Sequence, residues 1–176
     1  MGGSGKKFEA SWVVQVANYV SEALPGNSML CGSVRRGISM VGDLDMVVEC
    51  TMPEALAAVE FVCDEKDYSF DLKSKTVEDK SKTLKCEIDG MHVDMFRARE
   101  ENWGAMTLFL TGNHLFNIAM RGRAKSMGYK LSQYGLFFYG EIIAGRTEEQ
   151  IFAALGVKYM HPHERTMCRG ERLPLV

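Results

Sequence analysis

Two aspartates one residue apart at the head of an apolar run, Gly42-Asp43-Leu44-Asp45-Met46-Val47-Val48, constrain this chain more than any other feature. In a strand successive side chains alternate faces, so Asp43 and Asp45 share one face while Leu44 and Met46 point into a core. Two carboxylates so placed suit a hard divalent cation. Just upstream, Gly32 and Ser33 would bring backbone N–H groups and a hydroxyl near an anion, and Arg36 offers a planar fork for phosphate oxygens. Taken singly, an Asp-x-Asp is most often a solvated strand end, a Gly-Ser a turn, and an Arg-Arg-Gly an exposed basic loop. Their order and close spacing favour a combined site for metal and polyphosphate.

The chain has 176 residues, enough for one large domain or two small ones, and its 46% hydrophobic content suits a packed core. No apolar run reaches membrane-spanning length and the start lacks a signal peptide's apolar segment, so no membrane partner is expected. Residues 1–7 read as a leader or flexible tail outside the fold. The five cysteines are scattered with no Cys-x-x-Cys pair, which points to reduced thiols and an intracellular compartment: cytoplasm, nucleus or a viral one. A net charge of −2 gives no global basic field, so any nucleic-acid binding must use local patches.

Along the chain, apolar residues at helical spacing predict an amphipathic helix over 8–24, followed by a short strand over 28–31 and a longer one over 43–50. Thr51 and Pro53 mark the start of a helix running to about residue 63. Residues 68–77 and 83–88 read as strands around a polar turn. Asp89-Gly90 is a two-residue hairpin signal leading into Met91-His92-Val93-Asp94-Met95-Phe96. If that last strand lies beside the Asp43 strand, Asp94 completes a trio of carboxylates. In the segment after Gly112, His114, Asn117 and Arg121 share one face of a helix and Leu115, Ile118 and Ala119 line another side. Residues 128–137 read as turn, strand, turn, 141–144 as a short strand, and Thr147-Glu148-Glu149-Gln150 as a capping box. His161 and His163 flank Pro162 with no third ligand, and no zinc is assigned.

Gly32-Ser33-Val34-Arg35-Arg36-Gly37 followed by Gly42-Asp43-Leu44-Asp45 resembles the nucleotidyltransferase signature of the family X DNA polymerases, the group typified by DNA polymerase beta. The His-Val-Asp-Met-Phe strand with Asp94, the Thr-Gly then Phe-Asn-x-x-Met-Arg helix, and the segment from Tyr134-Gly135-Leu136-Phe137 to Pro162-His163-Glu164-Arg165 extend the resemblance over about residues 28–165. It implies an α+β fold: a nucleotidyltransferase palm over 8–105, a mixed sheet with helices on one side, and a small C-terminal α/β nucleotide-selecting lobe over 106–176. The extent is similar to the small viral members, without the lyase domain common in the family.

The same resemblance implies a template-directed DNA polymerase, adding dNMP to a primer 3′-hydroxyl in short gaps during DNA repair. Asp43, Asp45 and Asp94 would be catalytic and hold two Mg²⁺ ions, with Mn²⁺ able to substitute. Gly32, Ser33, Arg36 and Gly42 would bind the phosphates of the incoming dNTP; Phe109, Gly112 and Asn117 would contact its sugar and base. His114 and Arg121 would meet the base pair. Arg97, Arg99, Arg123 and Lys125 would contact gapped or primer-template DNA, with Lys73, Lys75, Lys82, Lys85 and Lys130 as further candidates. A monomer is expected. The alternatives are a non-templated nucleotidyltransferase acting on a small molecule, protein or RNA, and a catalytically idle DNA-end-binding module.

Overall fold

A computed structural model describes residues 5–176; of the expected leader, residues 1–4 lie outside the described residues. The chain divides into two compact units, one formed by residues up to Val34 together with Ile38–Ala98, the other by Arg35–Gly37 and Arg99–Val176. Among the described residues no helix is long and apolar enough to cross a membrane.

In the first unit β1 (Phe8–Glu9) leads into α1 (Ala10–Ala23), then β2 (Ser28–Leu30), a four-residue helix α2 (Gly32–Arg35) whose last residue belongs to the second unit, β3 (Met40–Val41), β4 (Asp43–Val48), α3 (Met52–Lys66), β5 (Phe70–Leu72), β6 (Thr83–Ile88) and β7 (Met91–Arg97). The main sheet has the order β2-β4-β7-β6-β5. Its central pair, β4 and β7, is parallel and the other neighbours are antiparallel. Strand alternation puts Leu44, Met46 and Val48 of β4, Val93 and Met95 of β7, and Leu84, Cys86 and Ile88 of β6 on one face, where they are buried in one core with Val13, Val16 and Val20 of α1 and Ala55, Val59 and Val62 of α3. Each such valine, leucine, isoleucine or methionine side chain contributes about 1.5–3 kcal/mol of burial free energy when fully removed from water.

Local chemistry sets the ends of these elements. Thr51 and Glu54 form a reciprocal capping box on α3, and Asp67 closes it in the left-handed region at φ 55°. Asp89 and Gly90 both have positive φ, 50° and 77°, which gives the hairpin turn whose twist matches its strands.

Several sequence expectations are corrected. The helix expected over 8–24 gives up its first two residues to β1, which pairs with β3. Gly32-Ser33 opens the short helix α2 rather than a simple turn. The strand expected over 68–77 shrinks to β5, because beyond Leu72 the backbone N–H groups of Lys73 and Ser74 both donate to the Lys85 carbonyl and end the ladder.

In the second unit α4 (Trp103–Thr111) and α5 (His114–Ser126) pack with a three-stranded sheet of β8 (Lys130–Ser132), β9 (Gly135–Phe138) and β10 (Glu141–Ala144), and with α6 (Glu148–Ala154). Residues 128–137, expected as one strand between turns, are two antiparallel strands joined at Gln133-Tyr134. The core face of α5 is Phe116, Met120 and Ala124, while Leu115 and Ile118 are exposed. Gly104 is required where α4 passes α6: a Cβ there would lie 2.2 Å from the Thr147 carbonyl carbon.

Candidate active site

The first unit's candidate site is the sheet face opposite its helices. Parallel pairing sets Asp45 directly across from Asp94 and Asp43 across from His92. On the other side of β7, Lys85 stands across from Asp94 and Glu87 across from His92. Two rows of charge therefore cross the sheet. One runs Asp45, Asp94, Lys85; the other runs Asp43, His92, Glu87, Asp71. In the first, Lys85 Nζ donates to Asp94 Oδ2 at 2.8 Å. In the second, His92 Nδ1 lies 3.1 Å from Glu87 Oε1, and Lys73 joins Glu87 at 3.2 Å to Asp71. Hydrogen bonds to Asp71 and then Glu87 raise the pKa of Lys73.

Gly32 closes on this face. Its φ of +64° and a position where a Cβ would come 2.6 Å from Asp45 Oδ2 both demand glycine. The Cys31 N–H donates to the Asp45 carbonyl at 2.8 Å, fixing the start of α2 against β4. Gly42 leaves open room beside Asp43, with Lys7 Nζ the nearest neighbour at 3.5 Å from a built Cβ.

The donor set fits a hard divalent ion: carboxylate oxygens from two paired strands on one face. As the side chains stand, however, no three His, Cys, Asp or Glu groups among the described residues are arranged to hold a metal ion. The expected trio is together in register but not converged, and the Asp94 carboxylate accepts from the ammonium of Lys85.

The second unit carries a buried charge cluster that sequence inspection missed. Glu148, at the start of α6, accepts from both terminal guanidinium nitrogens of Arg35 at 2.9 Å and from both of Arg165 at 2.6 and 3.1 Å. Arg165 is fully buried, with its guanidinium carbon 5.3–5.7 Å from the ring centres of Phe152, Tyr159 and Phe116. Burial raises the Glu148 pKa, but the hydrogen bonds and charges of Arg35 and Arg165 outweigh it and hold the carboxyl below its ordinary value. Arg35 also donates to Thr111 Oγ1 at 2.7 Å, and Arg36 to the Thr111 carbonyl at 2.8 Å, so part of the fork expected to meet phosphate is engaged with the end of α4.

On α5 the Asn113 side chain caps the helix by accepting the Phe116 N–H at 2.8 Å. Asn117 donates to the Phe109 carbonyl at 2.7 Å and Arg121 Nε to the Asn117 carbonyl at 3.3 Å. Phe109, Asn117 and Arg121 line one cleft with Met120, Leu131 and Ser132. Gly112 keeps that corner tight, since a Cβ would meet Phe116 at 2.4 Å and Asn117 Oδ1 at 2.7 Å. His114 is exposed on the same helix.

The expected DNA contacts fare differently. Arg123 spends its Nε on the Leu155 carbonyl at 2.9 Å, closing the end of α6, and Arg97 donates to the Asp79 carbonyl at 2.7 Å. Arg99 is exposed, with Glu101 3.8 Å away, and Lys125 is exposed. No cysteine is in a disulfide; all but Cys168 are buried.

Residues 106–166 match the family described as DNA polymerase beta thumb. The chain is 28% identical over 144 residues to Repair DNA polymerase X of African swine fever virus, covering 81% of this chain and 83% of that protein. It is 29% identical to DNA polymerase lambda of Arabidopsis thaliana, covering 83% of this chain and 33% of that protein, and 26% identical to DNA polymerase lambda of Rattus norvegicus, covering 89% and 32%. These matches, which take in both the aspartate-bearing sheet and the C-terminal unit, make the chain similar to the family X DNA polymerases.

Proposed function

We propose that this chain is a template-directed DNA polymerase that fills short gaps in DNA repair by nucleotidyl transfer at Asp43, Asp45 and Asp94. The observation that carries this is the register of β4 and β7, which brings Asp94 opposite Asp45 with Asp43 on the same face. Asp43 and Asp45 would hold two Mg²⁺ ions and Asp94 the one beside the primer 3′-hydroxyl. When bound, the metal pair supplies a lowered hydroxyl pKa and neutralises charge developing on the α-phosphate during in-line displacement of pyrophosphate. Gly32, Ser33, Arg36 and Gly42 would bind and orient the triphosphate; the approach of Gly32 to Asp45 supports placing it there.

In the second unit, the α5 face of His114, Asn117 and Arg121 would read the base pair, and Phe109 and Gly112 would border the sugar. Arg99 and Lys125, exposed, are the stronger candidates for DNA backbone contact; Arg97 and Arg123 would contribute through side-chain nitrogens not already engaged. The substrates would be gapped or primer-template DNA and dNTPs, and the protein a monomer. The buried, unbridged cysteines suit a reducing intracellular setting.

Primer extension on a one-nucleotide gap with Mg²⁺, each dNTP offered singly against each template base at low salt, tests the assignment. Incorporation that follows the template is expected. Asp94→Asn should abolish extension while the melting temperature stays within a few degrees; full activity in that variant, or template-independent addition by the parent, overturns the proposal.

A further inference from the structure

We infer that Lys85 is a resident counter-ion of the carboxylate site, neutralising Asp94 until a divalent metal displaces it and thereby setting how tightly that metal binds. The role rests on Asp43, Asp45 and Asp94 being the metal ligands.

Asp45 and Asp94 are direct register partners on adjacent strands, where like charges destabilise the pair. Lys85 is the register partner of Asp94 on its other side, and its Nζ lies 2.8 Å from Asp94 Oδ2. In the neighbouring row Glu87 is paired with His92 and Lys73. The ammonium thus offsets the repulsion that a bound cation would otherwise relieve. The Lys85 side chain is 54% exposed and that of Asp94 31%, so the stem is free to carry the head group out to water when another cation arrives.

Two consequences follow from linkage. Whatever Lys85 contributes to the metal-free state is subtracted from metal affinity, and the metal in turn weakens the Lys85 contact by the same factor. After displacement the ammonium still repels the divalent ion, which lowers affinity further. For an exposed pair the combined effect is on the order of three- to tenfold in the dissociation constant, shrinking as salt screens it. The device would keep Asp94 neutralised when metal is scarce.

Mn²⁺ titration of the whole protein without DNA or nucleotide, read by electron paramagnetic resonance of the free ion, tests this in the parent, Lys85→Gln, Lys85→Arg and Asp94→Asn. Lys85→Gln should bind Mn²⁺ about three- to tenfold more tightly at low salt, with the advantage falling in high salt, while Lys85→Arg stays near the parent. Unchanged or weaker Mn²⁺ binding by Lys85→Gln, with Asp94→Asn clearly weakened, overturns the counter-ion role and leaves the metal-site assignment standing. Undiminished Mn²⁺ binding by Asp94→Asn overturns both.

Discussion

Replacing Glu148 with glutamine is the most informative single perturbation of the second unit. The change keeps the side chain's shape and removes one negative charge from between two guanidinium groups. Arg165 is fully exposed to the consequence, because it has no access to water, whereas the Arg35 side chain is 20% exposed and can relax outward. The four nitrogen-to-oxygen hydrogen bonds to Glu148 become at best two, and the new amide NH₂ faces donors. Removing one partner of a buried ion pair costs about 3–5 kcal/mol. For a chain of this length that corresponds to a fall in melting temperature of roughly 6–20 °C.

The two tryptophans allow the second unit to be followed alone: in a Trp12→Phe background, fluorescence reports only Trp103, at the start of α4. Urea unfolding of Glu148→Gln in that background should show the loss directly. Acid supplies an internal check. Glu148 is held below its ordinary value of 4.5, so its contribution is complete above about pH 4.5 and is lost as pH falls through the depressed value in the folded protein. The gap between parent and Glu148→Gln should therefore be widest above pH 4.5 and narrow in stronger acid. A loss below about 1 kcal/mol at neutral pH, the range of an exposed ion pair, would refute the reasoning.

Gly104→Ala should destabilise the protein by about 1–3 kcal/mol in thermal or urea unfolding, since the added methyl meets the Thr147 and Glu148 backbone rather than a side chain that can swing away. Of the five thiols, only Cys168 should react rapidly with a disulfide reagent at pH 8, and all five in guanidinium; burial pushes Cys63 up to about 11 and Cys86 up to about 12. Thr147→Ala removes the reciprocal cap of α6 and should lower stability by about 1 kcal/mol, measured by the same unfolding curves.

What could be read from the sequence was what local rules determine. Alternation by two put Asp43 and Asp45 on one face, and Asp89-Gly90 announced a hairpin whose two left-handed residues are found as required. The cap at Thr51 and the capping box at Thr147 are local as well. Helix α4 was not foreseen because it is apolar almost all round, so it has no polar stripe to give a helical period. On α5, Leu115 and Ile118 are as apolar as Phe116 and Met120, and only the packing of the second unit decides which pair is buried. The partnership of Arg35, Glu148 and Arg165 joins distant parts of the chain, and three ordinary charged residues leave no mark of it in the sequence. Lys85, a candidate DNA contact by sequence, is a different case: the two-residue turn at Asp89-Gly90 by itself sets it across from Asp94, so this pairing lies within reach of local rules.

The parallel pairing of β4 with β7 also governs when the site comes into being. The two strands become neighbours only after α3, β5 and β6 have been made, because these lie between them in the chain. A nascent chain that has emerged only as far as β6 has Asp43 and Asp45, with β2 available to pair with β4, but not the strand that carries Asp94. Such a non-local pairing closes a long loop before any contact rewards it, which makes it a late and slow event in folding. The carboxylate row is therefore assembled by completion of the sheet, and a chain cut short before Asp94 would carry Asp43 and Asp45 without the third carboxylate.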